Sequence, residues 1–383
     1  MERDELRLWL RLQMTPGVGN ATARRLLGAL GLPEQVFQAA PHALSQLVSD
    51  TQAAALREEP PGLAALCDTT WQWLQADPWR HRILVLGDPL YPASLLETDD
   101  PPLLLYGMGA ADIWLAQRLN PCHARSLAVV GSRNPSAQGL ENARLFARAL
   151  AQRGWTIVSG LAWGIDGAAH AGALEGAVPE GVATVAVVGT GLDRVYPRQH
   201  RDLAHRIAEH GVLLSEYPLG TPPLAPNFPK RNRLISGLSR GTLVVEAALQ
   251  SGSLITARLA LDQGREVFAI PGSIHTPQAR GCHALIKQGA KLVESAQDIL
   301  EELHELPPSA MSFIASKADS TGDNHENDDP LLEYLGFDAV GLDALLARTG
   351  LDTAVLQAQL MELEIQGAVV RLPGGLFQRV QRA

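Results

Sequence analysis

Cysteine is scarce in this chain. Cys67, Cys122 and Cys282 are the only three in 383 residues. They are odd in number and far apart, so neither a disulfide framework nor a CxxC metal site is expected. Cys282 and His283 adjoin, but no second pair stands near them in sequence, and no metal is expected. Aromatic residues are few, at 5%. Long apolar runs are missing, since none approaches the ~20 residues needed to cross a bilayer. The N-terminus carries Glu2, Asp4 and Glu5 in place of the basic start of a secretory signal. A reduced, cytoplasmic protein without membrane insertion is expected. Signatures of nucleotide chemistry are missing as well. No G-x-x-x-x-G-K-[ST] occurs, which argues against P-loop ATP hydrolysis, and no H-E-x-x-H or deaminase signature is found. The stretch GSRNPSAQG (131–139) is not G-x-G-x-x-G, so a dinucleotide cofactor has weak support.

What is present is a core-forming composition with uneven charge. Hydrophobic residues make up 46%, and the net charge is −9. An acidic total argues against nucleic acid, but binding follows the local field. Residues 125–240 hold 13 Lys and Arg against 8 Asp and Glu, a local balance of +5. The acidity collects elsewhere, notably in Asp319, Asp323, Glu326, Asp328 and Asp329.

Four regions follow from periodicity. Residues 1–78 read as short helices, with Met14–Asn20 (MTPGVGN) between two apolar-periodic stretches. Pro-Gly-x-Gly there resembles a helix-hairpin-helix turn, and equally an ordinary connection in which Gly supplies positive φ. Residues 79–305 alternate short Val- and Ile-rich runs with helical stretches. The runs are 127–131, 156–160, 182–189, 212–216, 242–246 and 267–270; the helices are 139–154, 165–174, 201–211 and 254–264. That alternation predicts βαβ units and a parallel sheet covered on both faces. Residues 306–329 lose periodicity and gain Pro, Ser, Asp and Asn, as a linker does. Residues 330–383 read as helices at 331–335, 342–349 and 353–365, then a hairpin around Pro373-Gly374-Gly375, which suggests a winged helix. Its candidate recognition helix has no Lys or Arg and carries Glu362 and Glu364, so duplex reading through it is not expected. The hairpin offers Arg371 and Arg379.

The most informative stretch is Asn227-Phe228-Pro229-Lys230-Arg231-Asn232-Arg233-Leu234-Ile235-Ser236-Gly237. It sets one ring among three cations and two amides, with Pro229 marking a turn and a helix expected from about Lys230. Cations at a helix start oppose its dipole and favour an anionic partner. Phosphate fits the cations, and Phe228 offers a stacking face to a base. Three strand-end turns add anion-friendly groups: Ser132 and Arg133 after the first run, Ser159 and Gly160 after the second, and Gly252 and Ser253 before the helix at 254. Asp166 and His170, four apart, are expected to bond each other and hold the second turn. Glu246 is expected to bond loop N–H groups.

Five segments resemble the DNA-processing protein A family, also called DprA or Smf. They are VGSRNPSAQG (130–139), SGLAWGIDGAAH (159–170), NFPKRNRLISGLS (227–239), VVEAALQSGSLITARLALDQGREVFAIPG (244–272) and GCHALIKQGAKLV (281–293). The resemblance spans roughly residues 80–300, with the motifs in order. It implies an α/β Rossmann-like parallel-sheet core flanked by an N-terminal helical (helix-hairpin-helix or SAM-like) domain and a C-terminal winged helix. It also implies a non-enzymatic protein without cofactor that binds single-stranded DNA in natural transformation and recombination, protects it, loads RecA recombinase onto it, and dimerises through the core. The DNA-binding positions so implied or read from the turns are Ser132, Arg133, Gly160, Phe228, Lys230, Arg231, Asn232, Arg233, Gly252 and Ser253. His283 departs from the Asn that many members carry after Gly-Cys. The alternative is a Rossmann-like nucleotide enzyme such as a phosphoribohydrolase. Those carry P-G-G-x-G-T-x-x-E, of which Pro271-Gly272-Ser273 is a partial echo. An oxidoreductase or a scaffold with a silent pocket are the remaining readings.

Overall fold

The computed structural model describes residues 1–119, 123–179, 181–303, 331, 335, 340–349, 351, 353–365, 368–372 and 376–379. Six helices come first: Arg3–Met14, Asn20–Leu30, Pro33–Gln38, Pro41–Leu47, Asp50–Arg57 and Leu63–Ala76. Leu6, Trp9 and Leu10 fall on one stripe of the first helix and are buried there. The fifth starts in a capping box, Ser49 with Gln52. The Gln52 side chain also donates to the Gly17 carbonyl at 2.7 Å. Gly17 is left-handed, with φ of 76°, so the Met14–Asn20 turn has the geometry of a glycine-dependent helix connection.

A nine-stranded sheet follows. Its strands are β1 (His81–Val85), β2 (Leu104–Gly109), β3 (Ser126–Val130), β4 (Thr156–Ser159), β5 (Thr184–Val187), β6 (Val212–Ser215), β7 (Gly241–Val244), β8 (Glu266–Ala269) and β9 (Lys291–Leu292). They lie in the order β1-β2-β6-β5-β4-β3-β7-β8-β9. From β6 to β9 every pairing is parallel, whereas β2 pairs antiparallel with both β1 and β6. The six runs expected as strands are β3 to β8. The antiparallel pair β1–β2 was not anticipated; in β2, Gly107 and Gly109 weaken the strand pattern. Both glycines are there for packing. A Cβ on Gly107 would lie 2.9 Å from the Trp114 ring, and one on Gly109 2.7 Å from the Gly211 carbonyl. The N-terminal helices share one apolar cluster with Ile83, Tyr106, Ala186, Val188 and Leu213 of the sheet.

In the C-terminal part, β10 (Val340–Gly341), helices Leu342–Thr349 and Thr353–Ile365, β11 (Val369–Leu372) and β12 (Leu376–Arg379) form a winged helix with strand order β10-β12-β11. Leu345, Leu356, Leu360, Leu363 and Phe377 make its core. The expected linker at 306–329 and hairpin turn at 373–375 lie outside the described residues, as does most of the expected helix at 331–335. Among the described residues no helix is long and apolar enough to cross a membrane.

The helices Ala137–Gln152 and Ile165–Glu175 pack so closely that a Cβ on Gly172 would lie 2.0 Å from the Arg144 carbonyl oxygen. Gly172→Ala therefore forces the pair apart and destabilises the protein by about 1–3 kcal/mol. Urea unfolding should show a lower midpoint with an unchanged slope; an unaltered midpoint would contradict this packing.

Candidate nucleic-acid interface

The chain runs outward from β3 through β4 and β5 to β6, then returns to place β7 on the other side of β3. Open α/β sheets bind ligands at the carboxyl ends around such a reversal. The turn after β3 is tied there to the end of β7, since the Ser132 amide donates to the Glu246 carbonyl at 2.7 Å. The Glu246 carboxylate accepts from the Ser136 amide at 2.9 Å and from the Ser136 hydroxyl at 2.5 Å. Gly139 leaves room for it, because a Cβ would meet the carboxyl carbon at 2.4 Å. An internal anion thus occupies the N-terminus of the helix Ala137–Gln152, as its dipole favours.

The turn after β4 is filled in the same way. Asp166 accepts from the amides of Gly160 at 3.1 Å and Ala162 at 3.3 Å. His170 Nε2 accepts from the Leu161 amide at 3.3 Å, between them. The Thr184 hydroxyl donates to the Ile157 carbonyl at 2.6 Å, so His170 Nδ1, 2.7 Å away, carries the proton and donates to Thr184. Asp166 and His170 do hold this loop, but each bonds backbone; the expected bond between them is replaced by two separate anchors. Burial lowers the His170 pKa to about 3 and keeps the ring neutral. Burial raises the Asp166 carboxyl, against the pull of Arg231 and the two amides.

Arg231 lies beneath this loop, only 3% exposed. Its guanidinium donates to the Val187 carbonyl at the end of β5 and to Asn232 Oδ1. A Cβ on Gly160 would strike it at 2.1 Å. Burial lowers its pKa to about 10, with Asp166 opposing, so it stays cationic at neutral pH. The helix bearing it runs Asn227–Gly237 and starts three residues before the expected Lys230. Pro229 falls within its first turn, where a missing N–H costs little. The Asn227 side chain donates to the Gly189 carbonyl at 3.1 Å and fixes the helix start over β5.

Above these supports lies an accessible surface. Phe228 is half-buried over Gly189, whose Cβ would meet the ring at 3.2 Å. Arg133 is exposed, with its guanidinium carbon 5.5 Å from the Phe228 ring centre. Tyr196 stands on another side, with ring centres 5.6 Å apart. Lys230 is exposed two residues further along the same helix. The Asn232 side chain reaches the Gly252 carbonyl at 3.4 Å, which joins the turn after β7 to this group. Ser132 accepts from the Asn134 amide and shapes the Arg133 turn.

Of the ten residues read from sequence, Ser132, Arg133, Phe228, Lys230, Asn232 and Gly252 thus gather at the surface. Gly160, Arg231 and Ser253 are buried and support it. Arg233 turns away and pairs with Glu216 at 2.6 Å and Asp100 at 3.3 Å. Asn20 of the N-terminal helices also donates to Glu216, at 2.9 Å. Of the three turns expected to be anion-friendly, those after β3 and β4 have backbone amides taken internally by Glu246, Asp166 and His170, which leaves the Arg133 side chain as the exposed cationic group there. Tyr196 was missed; it sits in an irregular segment with no periodicity to mark it. His283 staples the Pro271-Gly272 turn, its Nε2 lying 2.9 Å from the Gly272 carbonyl oxygen. Cys282 is a buried thiol whose pKa burial pushes up to about 12. Gly237-Leu238-Ser239-Arg240-Gly241 spells G-x-S-x-G, but it joins a helix to β7, and Ser239 is buried with its hydroxyl bonded to the Ile235 carbonyl. A nucleophile elbow instead exposes its Ser between strand and helix.

A Rossmann-like parallel sheet behind N-terminal helices and ahead of a winged helix defines a three-part α/β architecture. A family model of DNA recombination-mediator protein A matches residues 82–304, and one of the DprA winged helix domain matches residues 315–375. Protein Smf of Escherichia coli K12 is 45% identical over 318 residues, covering 81% of this chain and 80% of that one. DNA processing protein DprA of Bacillus subtilis is 46% identical over 215 residues, 56% of this chain and 69% of that one. Among solved structures, DprA of Streptococcus pneumoniae superposes with a TM-score of 0.60 at 35% identity, covering 79% of this chain and 98% of that one. DprA of Helicobacter pylori, described for its single-stranded DNA binding mode, gives 0.50 at 30% identity over 58% and 95%. The chain belongs to the DprA/Smf family.

The tautomer and burial of His170 make stability depend on pH. The unfolded chain takes up a proton at His170 near its ordinary value of 6.5, the folded one only near 3. Stability from this residue is complete above about pH 6.5 and is lost as pH falls from there towards 3. His170→Leu strands the Leu161 amide and should destabilise by about 1–3 kcal/mol at pH 7. In chemical unfolding at several pH values, the difference from wild type should shrink towards pH 4. A constant difference would contradict a neutral, buried His170.

Proposed function

We propose that this chain binds single-stranded DNA in the cytoplasm during natural transformation and recombination, protects it, and hands it to a RecA recombinase without catalysing a reaction itself. The observation that carries the reading is the exposed Arg133 guanidinium over the half-buried Phe228 ring at the carboxyl edge of the sheet, with Lys230 exposed on the same helix as the ring. Single strands expose phosphates and base faces together, and these side chains address both. The relatives are named as DNA-processing proteins, and one is described by its single-stranded DNA binding mode.

The enzyme alternatives are weakened by where the carboxylates go. Glu216 pairs with Arg233, Glu246 caps a helix, and Asp166 holds a loop. Each strand-end carboxylate already has a structural partner, so an acid/base pair would have to break one. A dinucleotide pyrophosphate would meet the Glu246 carboxylate at the helix start where such cofactors bind.

A pocket at strand ends holds few nucleotides, so two pockets on a dimer would hold one strand by avidity. Fluorescence anisotropy across a salt series should show long single-stranded oligonucleotides bound far more tightly than very short ones. Arg133→Ala combined with Lys230→Ala should weaken binding and reduce the slope of log K against log salt by about 0.7 for each phosphate no longer neutralised. Equal affinity for both lengths, or a variant with unchanged affinity and slope, would contradict the proposal.

A further inference from the structure

Trp163, at the tip of the loop after β4, is 54% exposed. Single exposed apolar residues are ordinary on protein surfaces. What sets this one apart is how firmly it is held. The His200 ring stacks on it with centres 5.3 Å apart and planes 19° from parallel. His200 is itself fixed, its Nδ1 lying 3.0 Å from the Leu161 carbonyl oxygen. Its ring also fills the space above Gly167, where a Cβ would stand 2.6 Å from it.

The backbone under Trp163 is equally constrained. Leu161 adopts φ of 56° and Gly164 φ of 87°, so two left-handed residues bracket Ala162 and Trp163. A branched side chain in that region costs on the order of 1–3 kcal/mol and persists only where its surroundings impose it. Here His170 holds the Leu161 amide, His200 its carbonyl, and Asp166 the amides on either side. Leu161 is buried in the core, which stabilises its left-handed backbone, and the turn so formed holds the Trp163 indole out in water at a fixed place.

The location indicates the task. A Cβ on Gly164 would lie 2.4 Å from the Ser132 carbonyl oxygen and 3.1 Å from the Arg133 carbonyl carbon, so the loop tip is docked on the Arg133 turn. Arg133 in turn lies over Phe228. The Arg133 turn therefore meets two aromatic groups, Phe228 with Tyr196 through the Arg133 side chain and Trp163 with His200 through the backbone at Gly164. We infer that Trp163, backed by His200, is a second base-stacking platform, which takes a nucleobase of the strand whose phosphate meets Arg133. This inference rests on the single-stranded DNA reading and extends the pocket beyond the Phe228 ring. Stacking on an indole face is sequence-tolerant, so the platform lengthens the bound segment without selecting bases.

The test compares wild type with Trp163→Ala, Trp163→Phe and Trp79→Ala by fluorescence anisotropy on a labelled oligothymidylate across a salt series. Trp79 is also exposed, but it precedes β1 at the opposite edge of the sheet. Trp163→Ala should weaken binding by about 5- to 150-fold, the range for losing one stacked base. Its salt slope and thermal midpoint should not change, because neither a cation nor a core side chain is removed. Trp163→Phe should retain most of the affinity, and Trp79→Ala all of it. Wild-type affinity in Trp163→Ala would overturn the platform while leaving the DNA reading standing. A weakened Trp163→Ala with a lowered melting temperature and no recovery in Trp163→Phe would also overturn it, as a structural effect. A wild-type protein that fails to bind the oligonucleotide would overturn the DNA reading itself.

Discussion

The buried guanidinium of Arg231 is the constraint on which the candidate site depends. A cation removed from water is tolerated only when paired and hydrogen-bonded, and breaking such a pair costs about 3–5 kcal/mol. Val187 supplies a carbonyl, Asn232 an amide oxygen, and Asp166 the opposing charge. Each requirement reaches further into the structure. Gly160 lacks a side chain because the guanidinium fills its place. Asp166 is in turn held by loop amides. The helix Asn227–Gly237 is pinned over β5, with Phe228 half-buried and Lys230 exposed on it.

A second constraint follows from the internal carboxylates. Helix starts and strand-end turns are ready anion sites. In this protein Glu246 and Asp166 occupy two of them. On the proposed reading, phosphate recognition therefore falls to side chains at the rim, Arg133 and Lys230, instead of to a backbone cradle. That division suits a strand whose sequence and register vary, since long cations adjust where fixed amides do not. It also separates this core from Rossmann-like nucleotide enzymes, whose first turn leaves its helix start open to the ligand.

The parallel core was legible from sequence because six Val- and Ile-rich runs alternate with helices, and β3 to β8 fall on those runs. The winged helix was legible from three periodic helical stretches followed by a hairpin. The antiparallel β1–β2 pair was not; in β2, glycines required by Trp114 and Gly211 erase the pattern. For the site, composition marked the Asn227–Gly237 segment but not the direction of each cation. Arg231 and Arg233 differ by two positions on one helix, about 200° apart. One therefore points down into the sheet ends and the other across to Glu216 and Asp100, while Lys230 stays in solvent. Such choices follow from tertiary partners distant in sequence. Tyr196 and Trp163 lie in irregular turns, where neither periodicity nor charge marks them.

Arg231 is buried beneath the candidate surface, where on the proposed reading it has a supporting role without contact to the strand. The salt dependence of single-stranded DNA binding by Arg231→Gln, beside wild type, tests this most directly. Weaker binding with an unchanged slope of log K against log salt is expected, because a support is disturbed while the same phosphates stay neutralised. A slope reduced by about 0.7 would mean that Arg231 itself neutralises a phosphate, and would contradict a purely supporting role.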